Sequence, residues 1–203
     1  MLWVMSSAPR DWLLITVSPP AGASSTLRVY AWRKLRSLGA YYLQQSVCLL
    51  PATARTMRVS NRLIGRLRAE GGYGQVLRTR LTDARQEREI VEAFQRERSD
   101  EYHEVVQRTQ QFHEELAHER ERGRATYTEL EESDADMARH QKWLAAIRAR
   151  DYFGAPGAEA AVAAIAACEQ ALAQFEAEAL AAELDPDSPA ADRPLRAIDG
   201  GRQ

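Results

Sequence analysis

The chain has 203 residues, 45% of them hydrophobic, with seven tyrosines; this suffices for one ordinary domain, or a small domain with an appendage, and excludes wholesale disorder. Its two cysteines, Cys48 and Cys168, stand far apart without a C-x-x-C pair, which excludes a disulfide scaffold or zinc ribbon and points to a reducing compartment. The formal net charge of −2 hides a sharp division: residues 1–82 carry 12 basic and two acidic side chains, whereas residues 83–184 carry 12 basic and 23 acidic ones.

Between Trp12 and Ala69 there are nine arginines and lysines and no acid at all. The early apolar run from Trp12 to Val17 lacks the h-region and cleavage site of a signal peptide, and no run approaches the roughly 20 apolar residues of a membrane span. A cytoplasmic protein with no membrane partner is expected.

In chain order, "WLLITVS" is short, apolar and β-branched, is closed by Pro19, Pro20 and Gly22, and reads as a buried strand. "SSTLRVYAWRKLRSLG" predicts a helix with an N-cap at Ser24 or Ser25 and a stop at Gly39, its apolar face formed by Leu27, Ala31, Leu35 and Leu38. "AYYLQQSVCLLP" is either a strand pair or one long bent strand ending at Pro51. "ARTMRVSNRLIGRLRAEGG" is a second amphipathic helix with Leu63, Ile64 and Leu67 inward, and "QVLRTRL" a closing strand. This order predicts an α+β fold, a ferredoxin-like sandwich of about four strands with two helices on one face.

From Asp83 the period becomes helical and an all-helical C-terminal region is expected. Ile90, Phe94, Tyr102, Val105, Thr109, Phe112 and Leu116 form one stripe running toward Gly123. A second helix is expected from about Ser133 to Arg150, with Met137, His140, Leu144 and Ile147 on one side and His140 satisfied within the core. "YFGAPG" breaks it, and an alanine-rich helix follows with Val162, Ile165, Leu172 and Phe175 inward. The expected organisation is a basic ferredoxin-like domain at 11–82, an acidic helical region at 83–184 and a disordered tail at 185–203.

On the first helix Arg28, Trp32 and Arg36 stack on successive turns away from the leucine face, with Arg33 at their edge. On the second, Arg55, Arg58, Arg62 and Arg66 fall within about 80° of one another. Guanidinium is permanently charged, planar and matched to phosphate and other tetrahedral oxyanions, and Trp32 between two arginines offers a stacking plate. Two readings compete: an anion- or nucleic-acid-binding surface, and a solvated face or one covered by the chain's own acidic helices. The missing acids favour the first, since ordinary surfaces intersperse both signs.

Other chemistry is weakly signalled. His113 and His118 in "HEELAH" lie five residues apart, about 140° around a helix, and cannot share a metal as an i, i+4 pair could. "GGYG" at 71–74 lacks the lysine and serine of a phosphate loop. Cys48 reads as a small buried hydrophobe. No serine, histidine and acid constellation can be assembled, so no catalytic residue, metal or cofactor is expected, and no enzyme.

Several segments together carry a family resemblance. "DWLLITVS", "STLRVYAWRKLRSLGAYYLQQSVCLLP", "GGYGQVL" and, later, "FQRERSDEYHEVVQ" resemble the N-terminal domain of the chromate-resistance protein ChrB, from about residue 11 to residue 180. The resemblance implies a bacterial cytoplasmic regulator, chromate-responsive, that controls a transporter operon, with operator DNA and the chromate oxyanion as candidate partners. Arg28, Trp32, Arg33 and Arg36 lie in the matching helix; Arg98, Glu101 and Tyr102 lie in the later motif. The family domain also looks like the ferredoxin-like region of the phenylacetate-catabolism repressors and the small CRISPR-associated nucleases. The nucleases carry an acid at the end of the first strand; here that position reads "VSPP", so nuclease chemistry is not expected. Longer family members continue into a second, C-terminal domain, and on that pattern this chain is expected to be a partial or differently regulated version.

The expected function is a chromate-responsive regulator that binds DNA, chromate or both through its arginine-rich domain, with the acidic helices as a candidate homodimer interface. The alternative is a non-enzymatic interaction module whose basic surface is covered by its own helices or a partner. Chromate reduction through Cys48 has no flavin or nicotinamide motif behind it.

Overall fold

A computed structural model describes residues 10–18, 20, 25–122 and 127–184. Ser24 as a cap, the Pro19 and Gly22 turn, Gly123 and the expected tail at 185–203 lie outside the described residues. Four strands, β1 (Trp12–Ser18), β2 (Tyr41–Gln44), β3 (Val47–Pro51) and β4 (Tyr73–Thr79), form one sheet in the order β2-β3-β1-β4, every neighbouring pair antiparallel. Helices α1 (Ser25–Arg36) and α2 (Ala54–Ala69) complete the βαββαβ order of a ferredoxin-like sandwich, and α3 (Ala84–Glu121), α4 (Tyr127–Arg148) and α5 (Ala158–Leu184) make the helical region. The "AYYLQQSVCLLP" segment is the strand pair, turning at Gln45 and Ser46, with a bulge between Tyr42 and Gln44.

Why β1 is apolar on successive residues follows from what covers it. Leu13 and Ile15 point to a core shared with Leu27, Ala31 and Leu35 of α1 and with Leu63, Ile64 and Leu67 of α2. Trp12, facing the other way, joins Leu49, Ile90, Val91 and Phe94. A strand buried on both faces has no polar alternation to show. Trp12 also donates from its indole nitrogen to Glu87 Oε1 at 2.8 Å, so the buried N–H is satisfied.

Both sandwich helices are closed by their local chemistry. Thr53 and Thr56 form a reciprocal cap at the start of α2. At the end of α1 the backbone makes a Schellman turn: Ala40 N–H donates to Leu35 O at 3.2 Å and Gly39 N–H to Arg36 O at 2.8 Å, with Gly39 left-handed at φ 69. Tyr152 O–H donates to the neighbouring Leu38 carbonyl at 2.8 Å.

Two compact units emerge. The first runs up to Tyr102 and takes in Ala145–Ala158, so the start of α3 and the segment after α4 belong with the sheet. The second comprises, among the described residues, those of His103–Leu144 and of 159–184. Its buried side chains are Val105, Thr109, Phe112 and Leu116 of α3, Met137 and Leu144 of α4, and Ala161, Ile165, Cys168, Leu172, Phe175 and Ala179 of α5.

Three expectations need correction. Val162 is 40% exposed; Ala161 and Cys168 take the inward positions beside Ile165. Helix α4 begins six residues before Ser133, at Tyr127. His140 is not satisfied: its ring meets Phe112 edge-on at 6.0 Å, but its Nδ1 is buried without a hydrogen-bond partner among the described residues, and burial lowers its pKa.

Gly39 and Gly71 allow a controlled comparison. Both have positive φ, but a methyl group on Gly39 would sit 2.6 Å from Arg98 Nη1, whereas Gly71 (φ 80) has open space. Gly71→Ala is expected to lose only the left-handed preference, about 1–2 kcal/mol. Gly39→Ala should lose clearly more, and thermal melts of the two variants check the order; equal losses would show that Arg98 yields freely.

Candidate functional site

The sequence-selected arginines all lie on exposed helix surface, for a simple reason. With Leu27, Ala31 and Leu35 turned into the core, 3.6-residue periodicity leaves Arg28, Trp32, Arg33 and Arg36 outside. Trp32 is 46% exposed, and the Arg36 guanidinium stands 5.2 Å from its ring centre. Among the described residues none of Arg28, Arg33, Arg36, Arg58 and Arg62 forms an ion pair. Two members of the α2 row are engaged: Arg55 Nη1 donates to Ala149 O at 2.9 Å, and Arg66 pairs with Glu70 at 2.8 Å while its guanidinium lies 4.0 Å over the Tyr30 ring.

Only part of this set converges. Arg33 and Arg36 line a cleft of about 420 Å³, together with Arg98, Arg150, Glu97 and Glu101. Arg28 instead borders a wider groove of about 830 Å³ with Val29 and Gln44, and Trp32 and Tyr42 line both the cleft and the groove. The row on α2 borders neither.

The cleft is built from a buried charge outward. Arg98 is 5% exposed, the sole buried arginine among the described residues. Its Nη2 donates to Glu97 Oε2 at 3.0 Å. Its Nε is 2.8 Å from Glu101 Oε2, a Coulombic contact whose N–H is not aligned as a hydrogen bond. Glu101 Oε1 accepts from Arg150 Nη2 at 2.6 Å, so one carboxylate holds two guanidiniums. Beside it Tyr102 O–H donates to Asp151 Oδ2 at 3.1 Å, and Asp151 accepts from the Ala155 N–H. Burial, with Asp151 nearby, pushes the Tyr102 phenol up to about 12. Four guanidiniums against two carboxylates leave the lining with a formal excess of two positive charges.

Sequence reasoning reached Arg98, Glu101 and Tyr102 through a motif and missed Arg150, which follows the end of α4 two residues after Arg148 with no pattern to mark it. Cys48 is 1% exposed, and burial pushes its thiol up to about 12, so no thiolate is offered to an oxidant or a metal at neutral pH. Cys168 is likewise buried and raised to about 11, its Sγ 3.5 Å from His113 Nε2. No group of three or more metal-ligating side chains is assembled among the described residues, and no helix there is long and apolar enough to cross a membrane.

The family model described as "Protein ChrB, N-terminal" matches residues 28–186. No curated protein matches the chain, and no solved structure does.

Burial of Cys48 has a pH signature. Its folded value of about 12 lies above the ordinary 9.0, so its contribution to stability is full below pH 9.0 and is lost as the pH rises toward 12. Urea unfolding is expected to show a downward slope beginning between pH 9.0 and 10.0, before ordinary tyrosines titrate; Cys48→Ala should make it shallower, and the Cys48→Ala, Cys168→Ala double variant should flatten it. Alkylation of the native chain at about pH 8 should leave Cys48 unmodified; rapid labelling there would contradict the assignment.

Proposed function

Since the chain belongs to the ChrB N-terminal family, we propose that it is a chromate-responsive regulatory protein of a chromate-resistance system, and that its exposed arginines bind the phosphate backbone of operator DNA. The observation that carries the reading is the state of α1. Arg28, Arg33 and Arg36 stand exposed on one helix with no carboxylate partner among the described residues. Permanently charged, outward and not neutralised, such groups release counterions from DNA when they meet phosphates. Arg58 and Arg62 on α2 extend the same chemistry.

The reading is one of binding, not catalysis, and the buried, protonated Cys48 supports it against a thiol-based reduction of chromate. The competing interaction-module reading draws support from Arg66, whose charge Glu70 already answers, and from the exposed Val29, Trp32 and Leu43. A protein partner would use those apolar side chains; DNA backbone would not.

The Arg28→Ala, Arg33→Ala, Arg36→Ala triple variant should weaken binding to a duplex from the upstream region of a chromate-resistance operon. It should also flatten the dependence of log K on log salt by up to about 0.9 per lost phosphate contact. Fluorescence anisotropy at two or more salt concentrations measures both, and affinity and slope equal to the wild type would refute the assignment.

A further inference from the structure

The cleft lined by Arg33, Arg36, Arg98 and Arg150 contains something the arginine rows do not: buried donors without acceptors. Arg98 Nη1, Arg150 Nε and the Tyr42 hydroxyl are all buried, belong to residues that line this cleft (Tyr42 borders the wider groove as well), and have no hydrogen-bond partner among the described residues. Arg98 Nε and Glu101 Oε2, also without a hydrogen bond, instead answer each other's charge at 2.8 Å. Buried polar groups in native proteins are almost always paired, and three unpaired in a single place call for a missing partner. Guanidinium groups can only donate, so that partner must be rich in acceptors. Burial holds the Tyr42 phenol neutral, its pKa raised to about 12, so it too remains a donor. The charge excess of two over the lining states what the partner's charge should be.

We propose that this cleft is a binding site for a small tetrahedral oxodianion, with Arg98 and Arg150 as its inner ligands and Arg33 and Arg36 at its rim. Glu101 is a positioning residue: bridging Arg98 and Arg150, it fixes two forks that would otherwise repel each other, and it spends its own charge in doing so. Glu97, with a side chain 57% exposed, is screened by water and opposes the anion little. A volume of about 420 Å³ exceeds a bare tetraoxoanion, so the ligand enters with part of its water shell. Chromate, sulfate and hydrogen phosphate share this chemistry, and size and proton content separate them. Arg33 and Arg36 belong both to this rim and to the proposed DNA surface. Occupancy therefore withdraws two guanidiniums from DNA, a clause that rests on the function proposed above, whereas the anion site does not.

Titration calorimetry on the full chain tests the site without DNA. Chromate and sulfate should bind saturably at constant ionic strength and chloride should not. Hydrogen phosphate that binds as well as both would mark a general dianion site, and preference for chromate a selective one; either supports the proposal. Arg98→Met should weaken dianion binding by about tenfold or more, as loss of a charge-assisted donor does. Should that variant fail to fold, the exposed Arg36→Ala change must still weaken it. Wild-type dianion affinity in the variants, or dianions bound no better than chloride, would overturn the site. Binding of a nucleoside monophosphate with neither chromate nor sulfate bound would overturn it in favour of a nucleotide pocket. In the DNA arm, sulfate at constant ionic strength should lower operator affinity in the wild type, and that fractional effect should be lost in Arg98→Met, each protein being compared with its own operator affinity without added dianion. Dianion binding without an effect on operator affinity would overturn the competition alone; a wild type that binds no operator would overturn the proposed function and leave the site to the calorimetry.

Discussion

A guanidinium removed from water must find countercharge inside the protein, and the surroundings of Arg98 are arranged by that requirement. Glu97 and Glu101, one and three residues along the same helix, supply it. Glu101 then recruits Arg150, Tyr102 ties the next residue, Asp151, and Tyr152 bonds the Leu38 carbonyl in the turn where Gly39 passes close to Arg98. The path closes on itself, joining α1, the start of α3 and the segment after α4 within the first unit. Breaking a buried ion pair by removing one partner is costly, on the order of 3–5 kcal/mol, because a charge is left behind. Such a network therefore fixes relative position more than it adds net stability.

The exposed arginines obey the opposite logic. A surface guanidinium keeps its hydration, and an ion pair there is worth at most about 1 kcal/mol, so leaving Arg28, Arg33, Arg36, Arg58 and Arg62 without ion-pair partners among the described residues costs the fold little. What the arrangement does create is a local positive field on a chain of nearly zero net charge. The proposed function depends on that field, and the proposed anion site on the place where part of it folds inward over a buried charge.

Much of this architecture was legible in the sequence. Strand β1, both sandwich helices and the inward stripe of α3 announced themselves because one set of positions is buried and another is not. Legibility failed where that contrast is missing. On α5 nearly every face carries alanine, so nothing told Val162 apart from Ala161 and Cys168. The first turns of α4, "YTELEES", set only Tyr127 and Leu130 among polar residues, too few apolar positions to show a period. That Phe94 would pack on Trp12 is a contact 82 positions apart, which no local pattern encodes. The rim of the cleft was visible as outward arginines, and Arg98 and Glu101 only through motif similarity; that they share a carboxylate bridge with Arg150 depends on the chain returning to the sheet after α4.

The bulge between Tyr42 and Gln44 sits on the outermost strand of one side of the sheet. An extra residue there twists the strand and interrupts its row of outward N–H and C=O groups, which blunts that margin as a template for another chain. The opposite margin, β4, runs seven residues with no irregularity in its pairing to β1. Any polypeptide that lengthens this sheet by strand addition would find its regular ladder beside β4, on the margin away from the bulge.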